Sequence, residues 1–409
     1  MKKLFFFAAV ALTFAACTKT TLDESAAPDV PVTFQAANYT PATKAGGEVS
    51  VFGDFKNFQC LAYLHAVGVD LNADGTLKDA TDPSYQKFFG NAGETISPYD
   101  NTNHVIDNPT KETNNVSYWA PSHNYYWPKD PKSYVNFVAW YGTTGTAAVN
   151  PTVSYEYVSS KWKATMTWSF SNETVGAAGA NLLYADMAWR YNQTPDAQYG
   201  LNGLSNGTNK GVPMLFHHAL AQINVKAYAL AAEATPANPT INAGVTDGTA
   251  TWTIKLKNVK ITPVIKAGTL ELTNEDRGTN ETRAWTGTWA ARSGSTAGAM
   301  VRSGDFAVDK VSKATAEDLI AATCVVPQTI GEGVVLSFDL DITTAYAGGV
   351  FHHEIIPISI KLNDMGTTAW NMNTKYTYYL QINPSQKTVL FDPAVEKDWT
   401  VVETTEQTI

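Results

Sequence analysis

The chain has 409 residues, a formal net charge of −9 and only 16% charged residues, which argues against nucleic acid and against a polybasic membrane patch. Thr, Asn, Gly and aromatic residues are plentiful, a composition of strands and turn-rich loops, and the length suffices for two domains. Only three cysteines occur, too few and too far apart for a disulfide framework; Cys60 and Cys324 sit in apolar runs that predict buried, inert thiols.

The N-terminus opens with Met1-Lys2-Lys3, runs through a mostly apolar stretch from Leu4 to Phe14, and closes on Ala15-Ala16-Cys17. A charged start, a short apolar run and two small residues describe a secretory signal over residues 1–16, too short to span a bilayer permanently. Cysteine directly after the small pair resembles the bacterial lipobox, so Cys17 is expected to carry lipid and to lead the exported chain. Residues 17–44 then read as a propeptide. Within them Val30, Val32 and Phe34 alternate with Pro31 and Thr33, a strand with three apolar side chains on one face. Pro31 limits that strand to an edge or to one-sided pairing. Lys44-Ala45, a lone basic residue among small flexible ones, is a substrate for a trypsin-like protease.

Beyond Ala45 strand patterns recur with turn punctuation between them, among them 58–65, 134–141, 153–158, 163–170 and 214–228. Further patterns cover 251–261, 334–342, 354–362, 376–382 and 388–391; helical periodicity is confined to 315–322. Many short alternating runs predict antiparallel sandwiches. The stretch Gly200 to Gly211 (GLNGLSNGTNKG) is the expected boundary between an N-terminal unit, 45–211, and a C-terminal unit, 212–409.

Candidate chemistry is sparse. His217-His218 and His352-His353 lie on strand patterns, where neighbours face opposite ways and cannot chelate one ion, so no metal or cofactor is expected. Asp70-Leu71-Asn72-Ala73-Asp74-Gly75 copies the first half of a calcium loop, but Thr81 stands where a bidentate Glu belongs, and a hairpin loop is the better reading. No nucleophile elbow, phosphate loop or dinucleotide fingerprint is present, and no enzyme is expected. Aromatic residues such as Trp127 and Trp189 allow glycan stacking as an alternative to core packing.

Several strings resemble, in order, the fimbrillin family of Bacteroidetes, the type V pilins, including its Mfa-like branch. They are Tyr126-Trp127-Pro128 with Tyr134 to Tyr141 (YVNFVAWY), Asn181 to Ala185 (NLLYA), and Val212 to Ile223 (VPMLFHHALAQI). Cys324 to Gln328 (CVVPQ), Trp370 to Tyr379 (WNMNTKYTYY), and Leu390 to Val395 with Trp399 follow. The resemblance implies an all-β chain of two transthyretin-like antiparallel β-sandwich domains in tandem. It further implies a fimbrial subunit, stalk or accessory, made as a lipoprotein precursor in the outer membrane and serving adhesion in an extracellular fimbrium. Cys17 matches the lipidated position, Val30 to Phe34 the removable first strand, and Lys44–Ala45 the cut, which the family often makes after Arg. Partners would be other copies of the chain, related fimbrial subunits, the processing protease, and host or bacterial surface glycans or proteins. The tail Thr400 to Ile409 (TVVETTEQTI), β-branched and including Val401 and Val402, is the expected donor strand. A carbohydrate-binding or anchor-type surface lipoprotein is the alternative.

Overall fold

The computed structural model describes residues 32–38, 57–79, 81, 83–100, 116–144, 147–171, 180–192, 211–230, 245–246, 250–279, 281–291, 297–346, 351–384, 386–397 and 400–402. The chain is all-β, with several antiparallel sheets. In chain order it begins with β1 (Phe34–Asn38), β2 (Phe58–His65), β3 (Glu94–Asp100), β4 (Val116–Pro121) and β5 (Tyr134–Thr144). Two strands, β6 (Thr152–Val158) and β7 (Lys161–Ser171), leave this sheet, and β8 (Ala180–Ala185), β9 (Met187–Tyr191) and β10 (Val212–His218) return to it. The hydrogen bonds close on themselves: β5 pairs with β8, β8 with β10, β10 with β1, β1 with β4, β4 with β3, β3 with β2, and β2 with β5. Closure removes the unpaired edges that an open sheet would offer to other chains.

The string Tyr134 to Tyr141 is almost continuously apolar because β5 is covered on both sides. Phe137 and Ala139 enter the inner core with Phe58, Ile96 and Phe216. Val138 and Trp140 face outward and are also buried, against a second sheet. That sheet draws from distant parts of the chain. Strand β7 pairs with β6 on one side and with β13 (Ala267–Glu275) on the other, in register from Ala267↔Ser171 to Glu275↔Lys163. β14 (Thr286–Ala291) completes it. Trp162, Ala164, Met166, Trp168 and Phe170 alternate along β7 and are all buried, the period-2 pattern of a strand covered on one face.

A further core lies between two more sheets. One runs β15 (Glu317–Val325), β11 (Ala221–Ala229), β18 (Thr374–Asn383), β19 (Thr388–Lys397), β20 (Thr400–Val402). The other is built on β12 (Ala250–Val264), β16 (Val335–Tyr346) and β17 (Phe351–Lys361). Between them lie Ile223, Val225, Leu256, Ile261, Leu336, Leu340, Tyr378 and Leu380, all nearly or fully buried. The strand that opens at Val212 hydrogen-bonds inside the ring, and the chain crosses to the next sheet at Ala219-Leu220. Residues 267–275 pair with 163–171, so one sheet draws strands from both sides of the Gly200 to Gly211 stretch.

The helix expected at 315–322 is a strand, preceded by a short 3-10 turn at Lys313–Thr315. Its burial comes in adjacent runs, Leu319-Ile320 and Thr323-Cys324-Val325, because the register with β11 shifts twice between Ile223 and Lys226. Such bulges break the period-2 pattern and imitate a helical one. Cys60 and Cys324 are buried and form no disulfide among the described residues, and burial holds the Cys60 thiol well above the ordinary range.

His218 sits at the crossing between sheets, with Nδ1 2.9 Å from Asn181 Oδ1. Burial, and then the neighbouring His217, lower its pKa to about 3. Its folded pKa lies below the unfolded value, so the unfolded chain binds the extra proton first. Stability is full above about pH 6.5 and falls as pH drops toward the folded pKa, by about 1.4 kcal/mol per unit inside that window. Urea unfolding at pH 7, 6 and 5 should show this slope, flattened in His218→Gln. An equal slope in both proteins would remove His218 from the account.

Candidate functional site

The site that the ring closure singles out is the seat of β1. Five residues of β1 run parallel to β10, from Phe34↔Val212 to Asn38↔Phe216, while on the other side β1 meets β4 only at Phe34↔Trp119. One parallel partner and one brief contact hold the strand that completes the ring. Backbone bonds lead into it: Val32 N–H donates to Tyr125 O at 2.7 Å, and Val212 N–H donates to Thr33 O at 2.8 Å. Tyr125 is itself anchored, its hydroxyl donating to Glu94 Oε1 at 2.7 Å; burial, then that carboxylate, pushes its pKa to about 12.

Val32 and Phe34 are buried in the inner core. The Phe34 ring meets Phe58, Phe89 and Phe137 edge-on, with centroids 6.1, 6.3 and 5.3 Å away. Edge-to-face clusters of this kind add about 0.5–1.5 kcal/mol per pair beyond area burial. Thr33 between them is buried as well, and the strand runs Phe34–Asn38, later in the chain than the alternating stretch read from sequence. Val30, Cys17, Lys44 and Ala45 lie outside the described residues. Val401 and Val402 are in β20, whose backbone pairs with β19 through Val395↔Val402 and Glu396↔Val401 at the edge of the last sheet; residues 403–409 lie outside the described ones.

Sequence reading missed the other half of the seat. Gly211, read there as linker, has φ +130, and a Cβ on it would lie 2.7–2.9 Å from the Phe34 backbone atoms C, N and Cα. Only glycine lets β1 approach so closely. Gly211→Ala is expected to cost about 1–3 kcal/mol, from the left-handed backbone and the displaced strand together. A urea midpoint unchanged from wild type would show that the strand does not need this approach.

Other candidates disperse. Asp70 accepts from Ala66 N–H and bonds His65 Nδ1 at 2.7 Å, whereas Asp74 accepts from Thr76, so the two carboxylates serve separate turns. His217 pairs with Asp186 and His353 with Asp341, each apart from its histidine neighbour. Among the described residues no three His, Cys, Asp or Glu side chains gather as metal ligands. Trp127 is 3% exposed and Trp189 fully buried, so neither offers a face for glycan stacking.

The sequence profile of the fimbrillin-like family matches residues 88–399. The chain belongs to the fimbrillin-like family. Among solved structures, this fimbrillin-like chain is similar to a fimbrial protein from Bacteroides vulgatus, with 15% identity, 90% of this chain and 99% of that one covered, and a TM-score of 0.43. It is also similar to the fimbrial anchor protein Mfa2 from Porphyromonas gingivalis, with 9% identity, coverage of 92% and 99%, and a TM-score of 0.24. None of the curated proteins matches it. The fimbrillin-like match begins at Phe88, beyond β1 and β2, so the seat of β1 rests on this chain's own geometry.

Proposed function

We propose that the chain is a structural, non-enzymatic stalk or accessory subunit of a cell-surface fimbria that serves adhesion. It is exported as an outer-membrane lipoprotein acylated at Cys17, cut between Lys44 and Ala45, and polymerised by strand exchange between subunits. Family membership supports the fimbrial role. The observation that carries the assembly route is the placement of β1, an N-terminal strand that alone bridges β10 and β4 and contributes Phe34 to the inner core.

The physics follows from that placement. Cutting after Lys44 separates β1 from the rest of the chain and severs the lipid anchor in the same event. Loss of β1 exposes backbone donors and acceptors along β10 and opens an apolar slot among Phe58, Phe89 and Phe137. A strand from a neighbouring subunit restores both the hydrogen bonds and the burial, which supplies the driving force for polymerisation. The donor is the tail around Val401 and Val402. Its first three residues pair on one side only, at a sheet edge, so little is lost when they leave.

Partners in this reading are other copies of the chain, related fimbrial subunits and a trypsin-like protease. N-terminal sequencing of native surface material tests it. A start at Ala45 in high-mass material is expected; a lipidated Cys17 start in monomeric material would mean that β1 stays home and the chain is an anchor-type lipoprotein.

A further inference from the structure

A cavity of about 480 Å³ opens where the 71–77 loop, the β6–β7 turn and the loop after β13 converge. Three cations line it, Lys161, Arg190 and Arg277, on a chain whose net charge is −9. Lys161 and Arg277 are exposed and form no ion pair among the described residues. The only carboxylate in the lining, Asp276, is already engaged. It accepts from Arg190 Nε at 3.0 Å, pairs with Nη2 at 2.9 Å, and accepts from Gly278 N–H at 2.7 Å. Arg190 Nη1 has no partner among the described residues. Asp74 lies beside the rim, fully exposed and bound to Thr76. The lining thus carries more positive than negative charge in an acidic protein.

One of its cations, Arg190, is held in place before any ligand arrives. Arg190 adopts φ +57, left-handed backbone at the bulge where the register of β9 with β5 shifts between Ala188 and Tyr191. Its N–H donates to Asn136 Oδ1 at 2.6 Å, and the guanidinium lies 4.8 Å from the Tyr134 ring centroid. Asn136 donates to the Tyr155 hydroxyl, which bonds His65 Nε2, while His65 Nδ1 bonds Asp70. That buried chain ties the 66–70 turn to the strand carrying Arg190. Ser159 and Ser160 have φ 51 and 63, the backbone of the tight hairpin turn from which Lys161 opens β7.

The rest of the lining selects the kind of anion. Ser160 and Tyr157 bring hydroxyls that form no hydrogen bond among the described residues, and the Trp162 ring stands edge-on to Tyr157 at 5.2 Å. A tyrosine ring offers an apolar body with a polar tip, which suits the C–H face and hydroxyl rim of a sugar. A planar carboxylate suits a guanidinium fork, and the volume falls in the range of small-ligand sites. We propose that this cavity binds a carboxylated sugar, a hexuronate unit of an acidic glycan, with Arg190, Arg277 and Lys161 on the carboxylate and Tyr157 on the ring.

The proposal is independent of strand exchange, and it is tested on the uncut, monomeric full chain. Saturation-transfer NMR with D-glucuronate, D-glucose and acetate as probes separates ring from charge. Glucuronate should bind in the millimolar range at low salt, at least tenfold better than glucose or acetate. The exposed pair Lys161→Gln with Arg277→Gln should weaken it at least fivefold without moving the melting temperature. Raising NaCl to about 0.3 M should weaken it several-fold in the wild type. Equal binding of glucose, equal binding of acetate, or a double variant that binds as wild type would each overturn the assignment.

Discussion

Phe34→Ala in the intact precursor is expected to lower stability by about 3–5 kcal/mol, the cost of emptying a close-packed aromatic site. Phe34 is fully buried and touches three other rings, so no neighbour can relax into the space without losing its own contacts. The control is Phe351→Ala on β17, a side chain 71% exposed, where the change should stay within about 0.5 kcal/mol. Urea unfolding of both variants measures the contrast. A loss at Phe34 under about 1 kcal/mol would mean that the strand is not an integral part of the inner core.

A still larger effect is expected when the whole strand is absent. Protein produced from Ala45 onward loses Val32 and Phe34 together, each worth about 1.5–3 kcal/mol of apolar burial. It also leaves the facing groups of β10 unpaired. Against a typical total of about 5–15 kcal/mol, this shortened chain should melt about 10–20 °C lower or populate a partly opened state. A synthetic peptide of residues 26–38 should restore stability by mass action, about 2.7 kcal/mol at a concentration 100 times its Kd. The same peptide with Phe34→Ala should fail. A shortened protein as stable as the precursor, and indifferent to the peptide, would contradict the role assigned to β1.

Where side-chain patterns are local, sequence carried far. The alternation of β7 and the doubly apolar run of β5 announced strands, and their burial follows those patterns residue by residue. What sequence could not show is pairing between distant segments. Nothing in residues 161–171 announces that they hydrogen-bond with 267–275, and nothing in Gly211 announces that the Phe34 backbone lies against it. The 317–325 strand was hidden because its bulges place buried residues in adjacent runs. Glycan stacking on Trp127 or Trp189 fails for a related reason: both indoles are needed to fill cores that only the assembled sheets define. The cationic cavity was equally illegible, since Lys161, Arg190 and Arg277 meet only when β7, β9 and the loop after β13 come together.

The most direct test of strand exchange is to cut the purified precursor with trypsin, verify a new N-terminus at Ala45, and run the product unboiled in SDS. The account predicts a ladder of SDS-resistant oligomers, suppressed when excess peptide 26–38 competes for the empty seat. A cut protein that keeps β1 bound and migrates only as a monomer would contradict it.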